Sequence, residues 1–286
     1  MRTLVALASL AALTGCAIIV APGDGDTRVH TAWSSDSKEG NGVAARDQRA
    51  IANLAALSVS GSLPVEVRVG PAPSLVVEAD SNLLPLIVTE TRGDTLHIYS
   101  EKSLRSKTPL RIVYATPRLA EVHASGATRV DVQGLAGAPL DVRKSGSSEV
   151  RLSGKVGSLN ARSSGSGLLD ASRLQADAID ATLSGSSRAR LGEVKGDHAR
   201  MDLSGSSSLE AAGAVRSLSA RVSGSANVDL ADLRTQDADL GASGSGGIRA
   251  TVKQSLFART SGSGGIRVYG HPAQRSITGD RVHLLD

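Results

Sequence analysis

The pair Ser-Gly recurs at Ser125, Ser145, Ser164, Ser184, Ser204, Ser223, Ser243 and Ser261, with Thr278-Gly279 as a ninth, degenerate copy. Successive spacings are 20, 19, 20, 20, 19, 20, 18 and 17 residues. A flexible linker has no reason to keep such a period, whereas a stack of equal structural units does. Apolar residues alternate on both sides of each pair, which is the period of a strand. Five, three and one residues before the Ser stand Ile179, Ala181 and Leu183, then Ala199, Met201 and Leu203 in the next unit. Five and seven residues after it stand Leu169 and Ala171, Leu209 and Ala211, Val228 and Leu230, Ile248 and Ala250. Ten residues after it a third apolar position recurs as Leu174, Val194, Ala214 and Leu233. Each unit reads as strand, Ser-Gly corner, strand, bend and return.

Hairpins would leave one apolar side exposed in every copy. Coiling removes the difficulty: equivalent strands stack about 4.8 Å apart, and their inward residues form continuous columns. The expected fold is all-β, a right-handed parallel β-helix of about 20-residue coils with a β-rich N-terminal cap, the hand following the preference for right-handed crossovers. One Trp, one Phe, three Tyr and two Met leave the interior to Ala, Val, Leu and Ile, which suits a thin, regular core. Six residues after each Ser, on the opposite side of the strand, come Arg151, Asp170, Arg190, Glu210, Asp229, Arg249 and Arg267. In a parallel stack these become vertical neighbours, and opposite charges in register are mutually favourable.

Ahead of the repeat, "LSVSG" (57–61), "VEVRV" (65–69), "LVVEA" (75–79), "PLIVTE" (85–90), "TLHIY" (95–99) and "LRIVY" (110–114) read as strands without the Ser-Gly period. They are expected to cap the coils or to supply wider first turns over residues 51–124, leaving 125–286 to the repeat. A solenoid needs such an end, because a bare coil exposes strand edges and core. Arg92-Gly93-Asp94 reads as the turn joining two of these strands, not as a recognition tripeptide.

The first residues form a basic start and an apolar run from Leu4 to Leu13, as in an export signal. "LTGC" follows, and Cys16 is the only cysteine, so the fold contains no internal disulfide. This box resembles that of bacterial lipoproteins. The resemblance implies a signal peptide over 1–16, lipid on Cys16 as the new N-terminus, and, from Ala17 in place of Asp, sorting to the outer membrane. Residues 17–50, rich in Gly, Asp and Ser, read as a flexible tether, and Trp33 within it carries no assigned role.

From about Ile51 onward, "SVSGSLPVEVRVG", "GDTLHIY", "LRIVYATPRLAEVHASGATRVDV", the serial "SGS" corners and "SGSGGIRVYGHPA" resemble the head GIN domain family, the auto-transporter adhesin heads of bacterial envelopes. The resemblance implies a right-handed β-helical body in an exported envelope protein and brings no catalytic residues. The chain departs from a strict pattern at Ser153-Gly154, which falls off the period, and at Lys253, which stands at the third apolar position.

No other chemistry rises from the residues. "GASGSGGIRA" (241–250) and "SGSGGIRVYG" (261–270) lack the following helix and the Lys of a phosphate loop. Asp170, Glu210 and Asp229 share a face but are interleaved with Arg, unlike the convergent pair that glycoside cleavage needs. His30, His97, His123, His198, His271 and His283 show no ligand spacing, so no catalytic, cofactor-binding or metal residues are assigned. The net charge of +4 is spread among acids and does not point to nucleic acid. The expected function is that of a non-enzymatic, lipid-anchored envelope protein, an adhesin or surface-binding scaffold. Its expected partners are the membrane, through the lipid, and an envelope protein or glycan. A carbohydrate-active β-helix enzyme and a structural or stress-response envelope factor are the alternatives.

Overall fold

The computed structural model describes residues 37–285. The chain is all-β, a parallel β-solenoid of about eight turns whose coils lie about 20 residues apart. Its N-terminal strands are β1 (Ser37–Glu39), β2 (Ala44–Arg49), β3 (Ala56–Val59), β4 (Pro64–Val69), β5 (Ser74–Asp80), β6 (Ile87–Arg92), β7 (Thr95–Ser100), β8 (Ser103–Arg105) and β9 (Arg111–Thr116). The body follows as β10 (Glu121–Ala124), β11 (Arg129–Gly137), β12 (Leu140–Lys144), β13 (Glu149–Ser163), β14 (Leu168–Leu183), β15 (Arg188–Leu203), β16 (Ser208–Val222), β17 (Asn227–Gly244) and β18 (Gly247–Gly262). It closes with β19 (Gly265–Tyr269), β20 (Gln274–Thr278) and β21 (Val282–Leu285).

Strands β13 to β18 each run through most of a coil and pair in parallel with the next. The inward residues form the expected columns. One runs Val65, Val130, Val150, Leu169, Ala189, Leu209, Val228, Ile248, Ile266 in direct register, every member at most 3% exposed. Another alternates small and large as Ala181, Met201, Ala220, Leu240, Ala258, which keeps a thin interior filled.

The Ser-Gly corners stack on one another. Gly126, Gly146, Gly165, Gly185, Gly205, Gly224, Gly244 and Gly262 all have positive φ. A Cβ on Gly205 would stand 2.5 Å from the carbonyl oxygen of Gly185, so only glycine passes this corner at coil spacing. The serine supplies the second half of the motif. Ser204 N donates to Leu183 O at 2.9 Å, and its hydroxyl reaches the same oxygen at 3.4 Å.

Several expectations need correction. The ladder of corners begins at Ser60-Gly61, on which Gly126 packs, so of the two expectations for this region residues 56–69 meet the second and already form a first turn. The period hides this because 65 residues, against about 20 in a coil, separate Ser60 from the next corner serine, Ser125. The inserted chain folds outward: β7 and β9 pair in parallel with β3 and β4 on their free side, and β5, β6 and β2 then add antiparallel strands. Residues 37–49, expected within the tether of 17–50, form β1 and β2; largely exposed edge strands carry no apolar alternation to read. Thr278 stacks on Arg259 rather than on Ser261, so Thr278-Gly279 is not a ninth copy in register.

The second bend accounts for the two irregularities. Gly154 pairs with Leu174, and Gly213 with both Val194 and Leu233, each glycine with positive φ and tight against the preceding coil. Ser153-Gly154 is therefore a second-bend variant, and the inward residue after Gly213 is Val215, while Ala214 stands in line with Lys195 and Arg234. Lys253 is exposed because the shortened coil turns Val252 inward onto Thr235. The turn at Gly93-Asp94 joins β6 and β7 as expected.

Candidate functional site

The outward column after each corner is in direct register from Arg151 through Asp170, Arg190, Glu210, Asp229 and Arg249 to Arg267. Arg249 meets Asp229 at 3.0 Å, Arg190 reaches Glu210 at 3.8 Å, and Arg151 pairs with Glu149 at 2.6 Å. The Asp170 carboxylate lies below its usual range, first because Ser172 donates to it at 2.6 Å and further because Arg151 and Arg190 flank it. These acids are engaged by their vertical neighbours, as strand-surface side chains are.

Hollows lie along the stack. One, about 640 Å³, runs along the corner edge past Asp202, Arg221, Gly241, Arg259 and the corner serines. Its cations are occupied: Arg221 pairs with Asp239 at 3.2 Å, and Arg259 lies 4.3 Å over the ring of Phe257. Another, about 480 Å³, lies on the outer face of β16 to β19 and includes Asn227, Gly247, Gly265, Arg267, Arg281 and His283. The paired glycines that floor it were legible in the sequence as "SGSGGIR", but only as corners; the hollow depends on vertical register between residues 18 apart.

Among the described residues two buried charges lie elsewhere. Asp80 closes β5, is fully buried, and accepts from the Ser106 hydroxyl and from the backbone N–H groups of Lys107 at 2.9 Å and Gly42 at 2.6 Å. These donors, Ser106 foremost, hold its carboxylate at about 2. Lys144 is 2% exposed in an inward column between Ala124 and Ser163, and burial draws its amine down to about 8. The sequence pattern gave no sign of either. Cys16, the lipidation residue expected from the sequence, lies outside the described residues, as do Trp33 and His30. Among the described residues no group of three or more His, Cys, Asp or Glu converges as a metal site would require.

Comparison with solved structures finds the same architecture in bacterial proteins of low identity. A putative adhesin from Parabacteroides merdae matches with a TM-score of 0.69 and 19% identity over 88% of this chain and 100% of that one. A putative lipid binding protein from Parabacteroides distasonis matches with a TM-score of 0.62 and 22% identity over 87% and 100%. Comparison with curated proteins gives no match. The model of the family described as "Putative auto-transporter adhesin, head GIN domain" matches residues 53–196 and 177–272, most of the chain, and the protein belongs to that family.

Proposed function

We propose that the protein is exported, held at the cell envelope by lipid on Cys16 with an outer-membrane address, and acts without catalysis as an adhesin or surface-binding scaffold. The observation that carries this reading is the ruled outer surface: side-chain columns repeat at coil spacing along a continuous stack from β10 to β21. Such a surface is stiff, because each coil is fixed by a full parallel ladder to its neighbours. It suits contact with another extended surface, protein or glycan, more than enclosure of a small reactant. The engagement of Asp170, Glu210 and Asp229 by arginines supports the non-catalytic half of the proposal.

Deleting the gene and measuring attachment and envelope integrity together tests it. Lost attachment with an intact envelope is the expected result; a leaking envelope with unchanged attachment would overturn the adhesin reading in favour of a structural role. Cys16→Ser should move the protein out of the membrane fraction. Retention there at the mature size would overturn the lipid anchor.

A further inference from the structure

The corners after Ser243 and Ser261 both read "SGSGGIR", where earlier corners carry a side chain at the last glycine. The outward column there runs Arg188, Ser208, Asn227, then Gly247 and Gly265. The inner glycine of each pair is dictated by packing: a Cβ on Gly246 or Gly264 would stand 1.9 or 1.8 Å from a carbonyl oxygen of the preceding coil. The outer glycine is under less constraint. A Cβ on Gly247 would meet Gly265 O at 3.1 Å, one on Gly265 would meet Arg281 O at 3.0 Å, and neither residue has a positive φ. Their missing side chains open a trough two coils high and about 480 Å³ in volume, within the size range of small-molecule sites.

Charge sets the trough apart from the rest of the face. From Arg151 onward every acid in the neighbouring column has an arginine directly above or below it, but Arg267 stands between Arg249 and His283. Arg249 has Asp229, whereas among the described residues no carboxylate pairs with Arg267 or Arg281. Like charges facing each other on parallel strands are unfavourable, and an anion between them relieves the repulsion. Guanidinium forks also hold carboxylate and phosphate in two-point contacts. At the other end of the trough Glu210, Asp229 and Asn227 offer hydrogen-bond acceptors, which suit sugar hydroxyls and disfavour an anionic bilayer.

We infer that this trough binds an acidic sugar residue of a glycan, its anionic group between Arg267 and Arg281 and its hydroxyls toward Asn227 and Asp229. The inference rests on the surface-binding reading and narrows it to one face and one ligand class. The purified protein is titrated with oligogalacturonate, sialyllactose and a sulfated oligosaccharide, each against its neutral parent, and with phosphatidylglycerol vesicles. The Arg267→Glu/Arg281→Glu variant, both positions being exposed, is run in parallel with its melting curve as a fold control. At least one acidic glycan should bind more tightly than its parent, and the variant should weaken it about tenfold or more. No preference for any acidic glycan, or a preference the variant keeps, overturns the trough. Vesicle binding lost in the variant without glycan binding assigns the patch to a membrane surface and also overturns it. Should the variant attach to cells as the wild type does, the trough fails while the adhesin reading stands; a wild type that attaches to nothing fails that reading itself.

Discussion

At the scale of single residues, two positions show how little freedom a thin solenoid leaves. Gly205 is glycine because its corner needs positive φ and a neighbouring carbonyl occupies the place of a Cβ. Lys144 is the opposite case, a cation in a column otherwise filled by Ala124, Leu183 and Leu203, with Ser163 below it. Its Nζ has no hydrogen-bond partner among the described residues and lies over Gly167, which leaves room for it. A buried amine without a partner is costly, and the cost sets a pH signature. The folded-state value, about 8, lies below the ordinary lysine value of 10.5, so the penalty is complete below pH 8 and fades as pH rises from 8 toward 10.5. Lys144→Met should therefore stabilise the protein by about 2 kcal/mol at pH 7. The gap to wild type should narrow in urea melts above pH 8. Equal stability at pH 7, or a gap that widens with pH, would contradict this account.

At the scale of elements, the coils and the cap both rest on ladders and buried apolar residues, but the outer edge of the cap adds one buried carboxylate. Asp80 ends β5 and ties it to the Gly42 and Ser106–Thr108 segments, which flank β2 and β8. Because its folded-state value is depressed to about 2, its contribution is complete above its ordinary value of 3.8 and is lost as pH falls between the two. Asp80→Asn should raise hydrogen exchange in β1, β2 and β8 at pH 7 while leaving β14 to β17 unchanged, and wild type should show the same local loosening as pH falls from 4 to 2. Uniform change along the chain would disprove a local clamp. The contrast also explains what could be read from residues alone. Ile179, Ala181 and Leu183 announce a buried strand because one face is apolar and the other is not. The exposed edge strand β2 has no such contrast, and Asp80 looks like any strand-end carboxylate until the chain brings Ser106 to it from 26 residues away. The trough was hidden likewise, since Arg267 is unremarkable until register sets it between Arg249 and His283.

At the scale of the whole molecule, a stack in which each coil touches only its neighbours should tolerate the loss of one coil but not of half a coil. Removing residues 184–203 joins Leu183 to Ser204 and sets the coil of β14 directly on that of β16. The columns on both sides of the corner then stay in phase: Leu169 meets Leu209, Ile179 meets Leu218, and Leu183 meets Val222. Two local costs follow. Ala181 now faces Ala220 without Met201 between them, leaving the interior underfilled, and Asp170 faces Glu210 without Arg190. The shortened protein should therefore remain folded with parallel-strand circular dichroism and melt cooperatively, only a few degrees below wild type. Restoring the charge order with Glu210→Arg should recover part of the loss. Removing only residues 184–193 deletes one corner and its strand, so the returning strand of one coil meets the bend of the next and the columns lose phase. That deletion should abolish the cooperative melt. If both deletions behave alike, the coils are not independent stacking units, and the rigid ruled surface on which the binding role depends would have to be supported in some other way.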